Sequence, residues 1–332
     1  MAGMGASWPA AVAVSGGGDS LALMHLLAGW AKDSGRAKPV VLIVDHALRN
    51  GSASEAKKAA SAAKKAGLPV HILTRKGARP KSGIEALARD ARYGLMGSWL
   101  KRHGIVHLYV GHTLDDQAET FLLRLGRGSG LDGLSAMRAL APFPVPGLEE
   151  LNLARPLLGI GRADLRSYLK KRRQDWLEDP MNSEGRFARS RIRALMPALD
   201  AAGLSSARIA DAAAHLARAR AALELATEAV LARAARPDGK HVALDAKALA
   251  AAPREIGLRA LAALLMAVSG EAYRPRFEAL ERLFDRLAQG KLGNGATLHG
   301  CKLYPAPRAA QRFGPETVVL AKESSRKAAK RP

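Results

Sequence analysis

The sequence predicts an α/β fold, in which a doubly wound, mostly parallel sheet is followed by a smaller helical C-terminal domain. Short apolar segments alternate with helical segments through the first half of the chain, and polar or glycine-rich stretches follow several of the apolar segments. Beyond about residue 200, this alternation gives way to alanine-rich helical sequence. Because parallel strands need long crossovers, the alternation implies a sheet that helices cover on both faces.

The bulk composition indicates the class of partner. The 332 residues are 48% hydrophobic, enough for two domains with real cores. The formal net charge of +22 favours a polyanionic partner, nucleic acid or an anionic membrane surface, although a merely solvated basic surface gives the same count. No apolar run is long enough to span a membrane and no secretory signal precedes the first strand, so we expect a cytoplasmic protein without membrane contact. The single cysteine, Cys301, excludes disulfide frameworks and cysteine-ligated metal clusters.

The first predicted strand and helix meet at a glycine-rich turn, within the stretch AVAVSGGGDSLALMHLL at 11–27. Val12 and Val14 favour a buried strand, and the apolar residues after Ser20 favour a helix. The turn itself consists of Ser15, Gly16, Gly17, Gly18, Asp19 and Ser20. Such a turn directs backbone N–H groups at one point and attracts anions, so phosphate binding is favoured over an ordinary tight turn. The turn matches neither the Walker A loop, since no Gly-Lys-Ser/Thr follows, nor the G-x-G-x-x-G fingerprint.

The later strands bring further polar residues to the same edge of the predicted sheet. The predicted strands cover 39–49, 69–75 and 105–113, and the helices between them cover 52–66 and 82–104. A further helix begins at 115 and ends in a glycine-rich break before 130. Asp45 and His46 lie at the C-terminal end of one strand and His112 at that of another, and ligands bind at the carboxyl ends of such strands. For the two histidines, packing or nucleotide contact is favoured over metal binding, because no third close ligand accompanies them.

The C-terminal part is predicted to be mainly helical. Helices are expected at about 204–236 and 253–289, a glycine-rich hairpin at about 297–304, and a basic, disordered tail at the end. We therefore predict three regions, 1–200, 201–290 and 291–332.

Acidic residues begin the helix that contains LDDQAET. Asp116 lies three residues before Glu119 and four before Thr120, so the three side chains can share one helix face. Two carboxylates converging there could hold Mg²⁺ or a substrate ammonium group. Helix capping by exposed acids explains the pattern equally well.

Arginines form two further patterns. Arg89 and Arg92 lie three residues apart on a predicted helix, where a solvated salt-bridge face is the ordinary explanation. Four arginines within RFARSRIR favour an RNA-facing patch over a merely basic helix start, because the planar guanidinium suits phosphate recognition: Arg186, Arg189, Arg191 and Arg193.

Taken together, several blocks resemble the tRNA(Ile)-lysidine synthetase family, within the N-type ATP pyrophosphatases that carry a PP-loop. The blocks occur in the family's order and cover most of 11–195: SGGGDS, VDHALR, GIEALARDARY, GHTLDDQAETFLLRLGRGSGLDGLSAM, ARPLL and WLEDPMNSEGRFARSRIR. The first block is typical of the superfamily, whereas the block after Gly111 and the last block are more selective. Ser190 departs from the family pattern, which usually has Asn there. The resemblance implies a PP-loop ATPase domain with a Rossmann-like sheet.

The resemblance also implies an activity. ATP would adenylate the C2 oxygen of the wobble cytidine in a tRNA(Ile) with a CAU anticodon, and free L-lysine would then displace AMP to give lysidine. The region 201–290 would bind the tRNA. A homodimer is also expected. The implied catalytic residues are Asp45, Arg92, Asp116 and Glu119. The implied ATP-binding residues are Ser15, Gly16, Gly17, Gly18, Asp19, Ser20, His46 and His112, with Asp19 a candidate ligand of Mg²⁺. The implied tRNA-binding residues are Arg124, Arg127, Arg155, Arg186, Arg189, Arg191 and Arg193.

Two other interpretations remain open at this point. Another PP-loop enzyme, such as a tRNA thiolase or an amide-forming synthetase, would share the loop. Thiolation usually needs a sulfur-carrying or cluster-binding cysteine, which Cys301 in the predicted hairpin fits poorly. A basic RNA-binding protein without catalysis is the second interpretation, and release of pyrophosphate distinguishes it from an enzyme.

Overall fold

A computed structural model describes residues 8–47, 51–76, 84–178, 188–271 and 273–323. The chain divides into two compact units, Met1–Ala217 and Arg218–Pro332. Within the described residues, no helix combines the length and the apolar character that crossing a bilayer requires.

The first unit contains one six-stranded sheet. Its strands are β1 (Ala10–Ala13), β2 (Val40–Asp45), β3 (Val70–Thr74), β4 (His107–Tyr109), β5 (Leu140–Pro142) and β6 (Asn152–Ala154). Its helices are α1 (Gly18–Asp33), α2 (Ser52–Lys65), α3 (Ile84–Arg102), α4 (Leu114–Leu125), α5 (Leu131–Leu134), α6 (Arg162–Lys171) and α7 (Ala188–Ala201), followed by the first part of α8 (Ser206–Ala234). The strand order is β3-β2-β1-β4-β6-β5, and every pair is parallel except β5 with β6. The predicted doubly wound, mostly parallel sheet is confirmed.

Both faces of this sheet are covered, as its residue pattern requires. In β1, Val12 packs into a core shared with α1, α2 and α6, where Met24 and Leu169 are buried. The intervening residue, Ala11, faces a second core that contains Met96 and Leu100 of α3. Because alternate side chains of a strand point to opposite faces, a strand buried on both sides is apolar at every position.

The central strands place three connections beside one another. β1 lies between β2 and β4 and runs parallel to both. The glycine-rich turn after β1, the residues after β2 and the residues after β4 therefore meet at the same edge of the sheet. This edge carries the candidate site.

The second unit contains more strand than the sequence predicts. Beyond the remainder of α8 it holds β7 (Ala235–Asp238), β8 (His241–Asp245), α9 (Ala246–Ala250), α10 (Arg254–Ser269), α11 (Phe277–Ala288), β9 (Ala296–Leu298), β10 (Cys301–Pro305) and β11 (Thr317–Lys322). The predicted helices and the hairpin of β9 with β10 are present. The expectation of helices alone over 201–290 is wrong, because β7 and β8 join an antiparallel sheet in the order β7-β8-β11-β10-β9.

The sheet of the second unit covers α10 and α11. Leu261 and Leu265 of α10 and Phe284 of α11 share a core with Leu303 and Leu320 of the sheet. The segment that forms β7, ARPD, contains no β-branched or aromatic residue, so its strand depends on pairing with β8 rather than on local preference. The predicted disordered tail falls largely on 324–332, which lie outside the described residues.

Candidate active site

The turn after β1 requires glycine at position 16. Gly16 has a φ of +91°, which L side chains rarely adopt, and a Cβ there would lie 2.8 Å from Cδ1 of Leu177. The N–H of Leu177 donates a hydrogen bond to the Gly16 carbonyl at 2.9 Å. The segment around Leu177 therefore holds the turn in one conformation. Helix α1 begins directly afterwards, with Gly17 as an N-cap that supplies no side-chain acceptor.

The two serines of the turn brace its backbone. Ser20 Oγ donates to the Gly17 carbonyl at 2.9 Å and accepts the Ser15 N–H at 3.2 Å. The hydroxyls of Ser15 and Ser20 also lie 3.2 Å apart. Because these bonds fix the turn, its glycine N–H groups are preorganised around the start of α1, where an anion is favoured.

A second glycine lets the end of β4 approach this turn. A Cβ on Gly111 would lie 3.0 Å from the backbone carbonyl carbon and oxygen of Asp19. The backbone cannot yield as a flexible side chain could, so position 111 admits only glycine without a shift. The predicted nearness of the β1 and β4 connections is thus a direct backbone contact.

The last residue of β2 and the residues that follow it form a second part of the site. The Asp45 carboxylate is buried and accepts hydrogen bonds from the Ala47 N–H at 3.0 Å and the Ser52 hydroxyl at 2.7 Å. His46 Nε2 accepts from Arg92, whose Nε and Nη2 lie 3.3 and 3.2 Å away. Burial, with the charge of Arg92, lowers the pKa of His46 to about 4. His46 is therefore neutral near pH 7, and its Nδ1, which carries the proton, is buried without a partner among the described residues.

His112, after β4, stands in a matching arrangement. Arg155 Nε donates to His112 Nδ1 at 3.2 Å, which leaves the proton of the neutral ring on Nε2. Burial, with the charge of Arg155, lowers the pKa of His112 to about 4. Arg155 is itself buried and donates from Nη1 to the Arg138 carbonyl at 2.9 Å. Neither imidazole lies in a group of three or more His, Cys, Asp or Glu side chains that could hold a metal, as far as the described residues extend.

Asp116 caps α4 and is nevertheless buried. Thr113 is the N-cap; its N–H and hydroxyl donate to Asp116 Oδ2 at 2.9 and 3.0 Å, and the Asp116 N–H donates back to the Thr113 hydroxyl. From the sequence, two explanations of these acids were equally possible: helix capping by exposed acids, or carboxylates that converge on a ligand. The structure shows a capping box whose acid is only 8% exposed, and Glu119 on the same face is 1% exposed.

Three arginines surround the Glu119 carboxylate. Arg189 Nε lies 2.8 Å from Oε2, Arg193 Nε lies 2.9 Å from Oε1, and Arg162 Nη1 lies 3.4 Å from Oε1. Arg189 Nη2 also contacts Asp116 Oδ1 at 3.0 Å. Buried carboxylates require such compensation, because an unpaired buried charge is strongly unfavourable.

Arg162, the first residue of α6, is a site residue that the sequence analysis missed. Its guanidinium contacts Asp19, Asp116 and Glu119, and its backbone N–H donates to Asp115 Oδ2 at 2.7 Å. It lies in GIGRADL, outside the arginine-rich run. The available signal was its place four residues after ARPLL and directly after Gly161, the N-cap of α6.

The charges of the cluster follow from these contacts. Burial raises the pKa of Asp19, and the charge of Arg162 offsets this only in part. Burial would also raise the pKa of Asp116, but Arg189, the hydrogen bond from Thr113 and Arg162 together hold it below its usual value. Asp116 is therefore ionised near pH 7.

The remaining predicted arginines fall into separate places. Arg124 donates to the carbonyls of Gly133 and Ala136 at 2.7 and 3.1 Å, and burial lowers its pKa. The side chains of Arg127 and Arg191 are exposed. Arg186 lies outside the described residues. Since Arg124, Arg155, Arg189 and Arg193 all have partners within the protein, their contact with RNA stays a prediction.

Comparison with known proteins identifies the same region of the chain. A family model described as the PP-loop domain matches residues 7–199. A tRNA(Ile)-lysidine synthase from Wolbachia pipientis wMel is 37% identical over 318 residues, which are 95% of this chain and 71% of that protein. One from Methylobacterium nodulans is 40% identical over 326 residues, 94% of each chain. Among solved structures, the U34-tRNA thiolase NcsA from Methanococcus maripaludis with its [4Fe-4S] cluster matches 62% of this chain and 70% of its own, with a TM-score of 0.52 and 18% identity, a likeness of fold alone.

Proposed function

Because the chain belongs to the tRNA(Ile)-lysidine synthase family and carries a PP-loop domain, we propose that it forms lysidine from ATP, free L-lysine and a tRNA(Ile) with a CAU anticodon. The observation that carries the proposal is the position of two buried carboxylates, Asp116 and Glu119, beside the glycine-rich turn, with Arg162 in contact with both parts. The glycine-rich turn suits the phosphates of a nucleotide, and the neighbouring pair of carboxylates suits the amine of lysine.

The reaction has two balanced steps. The C2 oxygen of cytidine is a poor leaving group, so it first attacks the α-phosphate of ATP and pyrophosphate departs. The neutral amine of lysine then attacks C2 and its nitrogen gives up a proton to water, while the C2–O bond breaks and its electron pair leaves with AMP. In the first step, the N–H groups of Gly17 and Gly18 and the hydroxyl of Ser15 would stabilise the charge that develops on pyrophosphate, while the Ser20 hydroxyl would keep the turn in place through the Gly17 carbonyl.

The residues fit a magnesium ion that arrives with the nucleotide. Mg²⁺ at such sites takes one or two protein carboxylates together with phosphate oxygens and water. Asp19 provides one carboxylate at the start of α1, and we propose it as the protein ligand. Bound there, Mg²⁺ would neutralise charge on the phosphates.

Asp116 and Glu119 are proposed to recognise lysine by charge. The lowered pKa of Asp116 keeps it ionised, so it attracts an ammonium group. The same lowered pKa makes it a weak proton acceptor, because efficient general bases have pKa values near the working pH. We therefore assign Asp116 to binding rather than to proton transfer.

Asp45, His46, Arg92 and His112 are proposed to contact the adenosine side of ATP. Both imidazoles are neutral and their tautomers are set by Arg92 and Arg155, so His112 Nε2–H is a donor. Neutral donors suit uncharged groups of the base and ribose, which leaves phosphate recognition to the turn.

The tRNA is proposed to lie over the basic surface that includes Arg127 and Arg191. Their side chains are exposed, and the net charge of +22 favours a polyanion. Arg124, Arg155, Arg186, Arg189 and Arg193 remain predicted contacts. The cytoplasmic location and the homodimer also remain predictions.

A buried thiol argues against sulfur transfer, which an alternative PP-loop enzyme would perform. Cys301 is fully buried in the second unit, its Sγ lies 3.4 Å from the Leu265 carbonyl oxygen, and burial raises its pKa. Reactive cysteines instead have lowered pKa values and accessible sulfur. No other cysteine occurs in the sequence.

The test is incorporation of labelled lysine into total bacterial tRNA in the presence of Mg-ATP. Label that survives mild alkaline deacylation, with release of AMP, supports base modification. Cleavage of ATP that depends on tRNA but transfers no lysine would point to a different nucleophile. Absence of tRNA-dependent cleavage would leave a binding protein.

A further inference from the structure

Arg162 is shared between the two halves of the candidate site. Its Nε lies 3.2 Å from Asp19 Oδ2, its Nη2 lies 3.4 Å from Asp116 Oδ1, and its Nη1 lies 3.4 Å from Glu119 Oε1. Each nitrogen thus faces a different carboxylate, one on the glycine-rich turn and two on α4. Its backbone N–H is fixed on Asp115.

The carboxylates of Asp116 and Glu119 are already paired with arginines. Asp116 and Glu119 carry two negative charges, and Arg162, Arg189 and Arg193 bring three positive ones. A lysine ammonium adds a fourth. The pair can bind it strongly only when one arginine gives up its share of the carboxylate oxygens.

The distances indicate which arginine yields. Arg189 and Arg193 each approach these carboxylates to 3.0 Å or closer, whereas both contacts of Arg162 are 3.4 Å. Charge-assisted hydrogen bonds are strongest near 2.7–2.9 Å, so Arg162 makes the weakest hydrogen bonds to the pair. It is also the arginine that contacts Asp19, beside the expected phosphates.

We propose that Arg162 is a positioning residue that makes ATP and lysine strengthen each other's binding. The inference rests on the proposed function. Arginine binds phosphate oxygens through paired N–H groups. When the polyphosphate of ATP lies on the turn, it draws the guanidinium of Arg162 toward Asp19 and away from Asp116 and Glu119. The freed carboxylate oxygens then accept the lysine ammonium.

The experiment measures lysine binding to the full chain with and without a nucleotide. The dissociation constant of labelled lysine is determined by equilibrium dialysis, alone and with saturating magnesium and α,β-methylene-ATP, which cannot be cleaved between the α- and β-phosphates. We expect lysine to bind about tenfold more tightly with the analogue, within the range usual for coupled sites. By reciprocity, saturating lysine should tighten binding of the analogue by the same factor.

Variants assign the coupling to Arg162. Arg162→Gln should reduce the ratio of the two lysine dissociation constants to about one, and Arg162→Lys, which cannot span three carboxylates, should leave it between one and the wild-type value. Lys170→Gln is the matched control, because it removes one positive charge from an exposed position of the same helix. It should keep the wild-type ratio. A merely structural role would lower thermal stability without changing the ratio.

The outcomes separate this inference from the proposed function. A wild-type ratio of one or below, in a protein that still transfers lysine to tRNA, overturns the role of Arg162 and leaves the function intact. This measurement needs no variant to fold. If Arg162→Gln keeps the wild-type ratio of lysine dissociation constants, the proposed role of Arg162 is also overturned. If lysine neither binds under either condition nor enters tRNA, both proposals fail.

Discussion

Arg193 of α7 donates two hydrogen bonds to the carboxylate of Glu119 in α4. Its Nε and Nη2 lie 2.9 and 3.2 Å from the two carboxylate oxygens. No residue of α7 is fully buried, and Arg189 and Arg193 connect this helix to α4 through charged contacts. Glu119 is therefore both a proposed ligand of lysine and a point at which α7 is attached.

Glu119→Gln should lower both activity and stability. The amide leaves three arginines facing a neutral group, and removing one partner from a buried ion pair typically costs about 3–5 kcal/mol. We expect lysine incorporation to fall by at least about a hundredfold and the urea midpoint to decrease. Asp200→Asn, an exposed acid on α7, is the control and should change neither. A stable variant with normal incorporation would contradict both roles of Glu119.

Asp116→Asn should abolish lysine incorporation while ATP binding persists. The variant removes the charge proposed to attract the ammonium group but keeps an oxygen that can accept the Thr113 bonds. Nucleotide binding, measured by calorimetry, should stay within about twofold of the wild type. If ATP binding is lost instead, Asp116 belongs to the nucleotide or metal side of the site.

Gly16→Ala should destabilise the turn and weaken nucleotide binding. Its Cβ would meet Leu177 at 2.8 Å, and alanine at a φ of +91° is strained by about 1–3 kcal/mol. The shift in melting temperature on adding Mg-ATP should therefore shrink. Gly29→Ala within α1 is a matched control, because nothing lies within 4 Å of its Cβ position. It should stabilise the protein by about 0.4–1 kcal/mol and keep the full shift.

Arginine substitutions on α7 should separate RNA contact from contact with the carboxylates. If both residues contact RNA as predicted, Arg189→Ala and Arg191→Ala each weaken tRNA binding and reduce the slope of log affinity against log salt by about one. Arg189→Ala should also lower the KM for lysine, because it removes one of the positive charges that compete with the ammonium group for Asp116 and Glu119. An unchanged salt slope for either variant removes that residue from the RNA surface.

Stability should fall as the pH drops from about 6.5 to about 4. His46 and His112 have pKa values of about 4 in the folded protein, well below the ordinary value of 6.5. The unfolded chain therefore takes up protons first, which favours unfolding over this window. The melting temperature should be lower at pH 5 than at pH 7.5, and His112→Gln should lessen that difference. An undiminished difference in the variant would show that His112 is not held neutral.

The sequence predicted the sheet and the location of the site because both depend on local patterns. Apolar strands such as β1 and β2 and the glycines of the turn are recognisable without a partner. The parallel order then places Asp45, His46 and His112 at one edge. The side-chain network was not predictable in the same way. Arg162 and Arg193 reach Glu119 from helices that are distant in sequence, and no spacing rule connects them.

Several strands were not predicted from the sequence, for a related physical reason. β7, β5 and β6 are three or four residues long, and short segments carry little periodic signal. β7 becomes a strand by pairing with β8, and β8 in turn pairs with β11, whose partner residues lie more than seventy positions away. Such pairing is a property of the folded unit rather than of the segment.

ATP cleavage and lysine transfer are proposed to occur in one reaction on one cytidine. The measurement that tests it most directly is a single-turnover reaction of the protein with Mg-ATP, labelled lysine and a transcript of tRNA(Ile) with a CAU anticodon. We predict one AMP released for each lysine incorporated, with the label resistant to mild alkali and located at the wobble cytidine. AMP formed without lysine transfer, or label that alkali removes, would contradict the account.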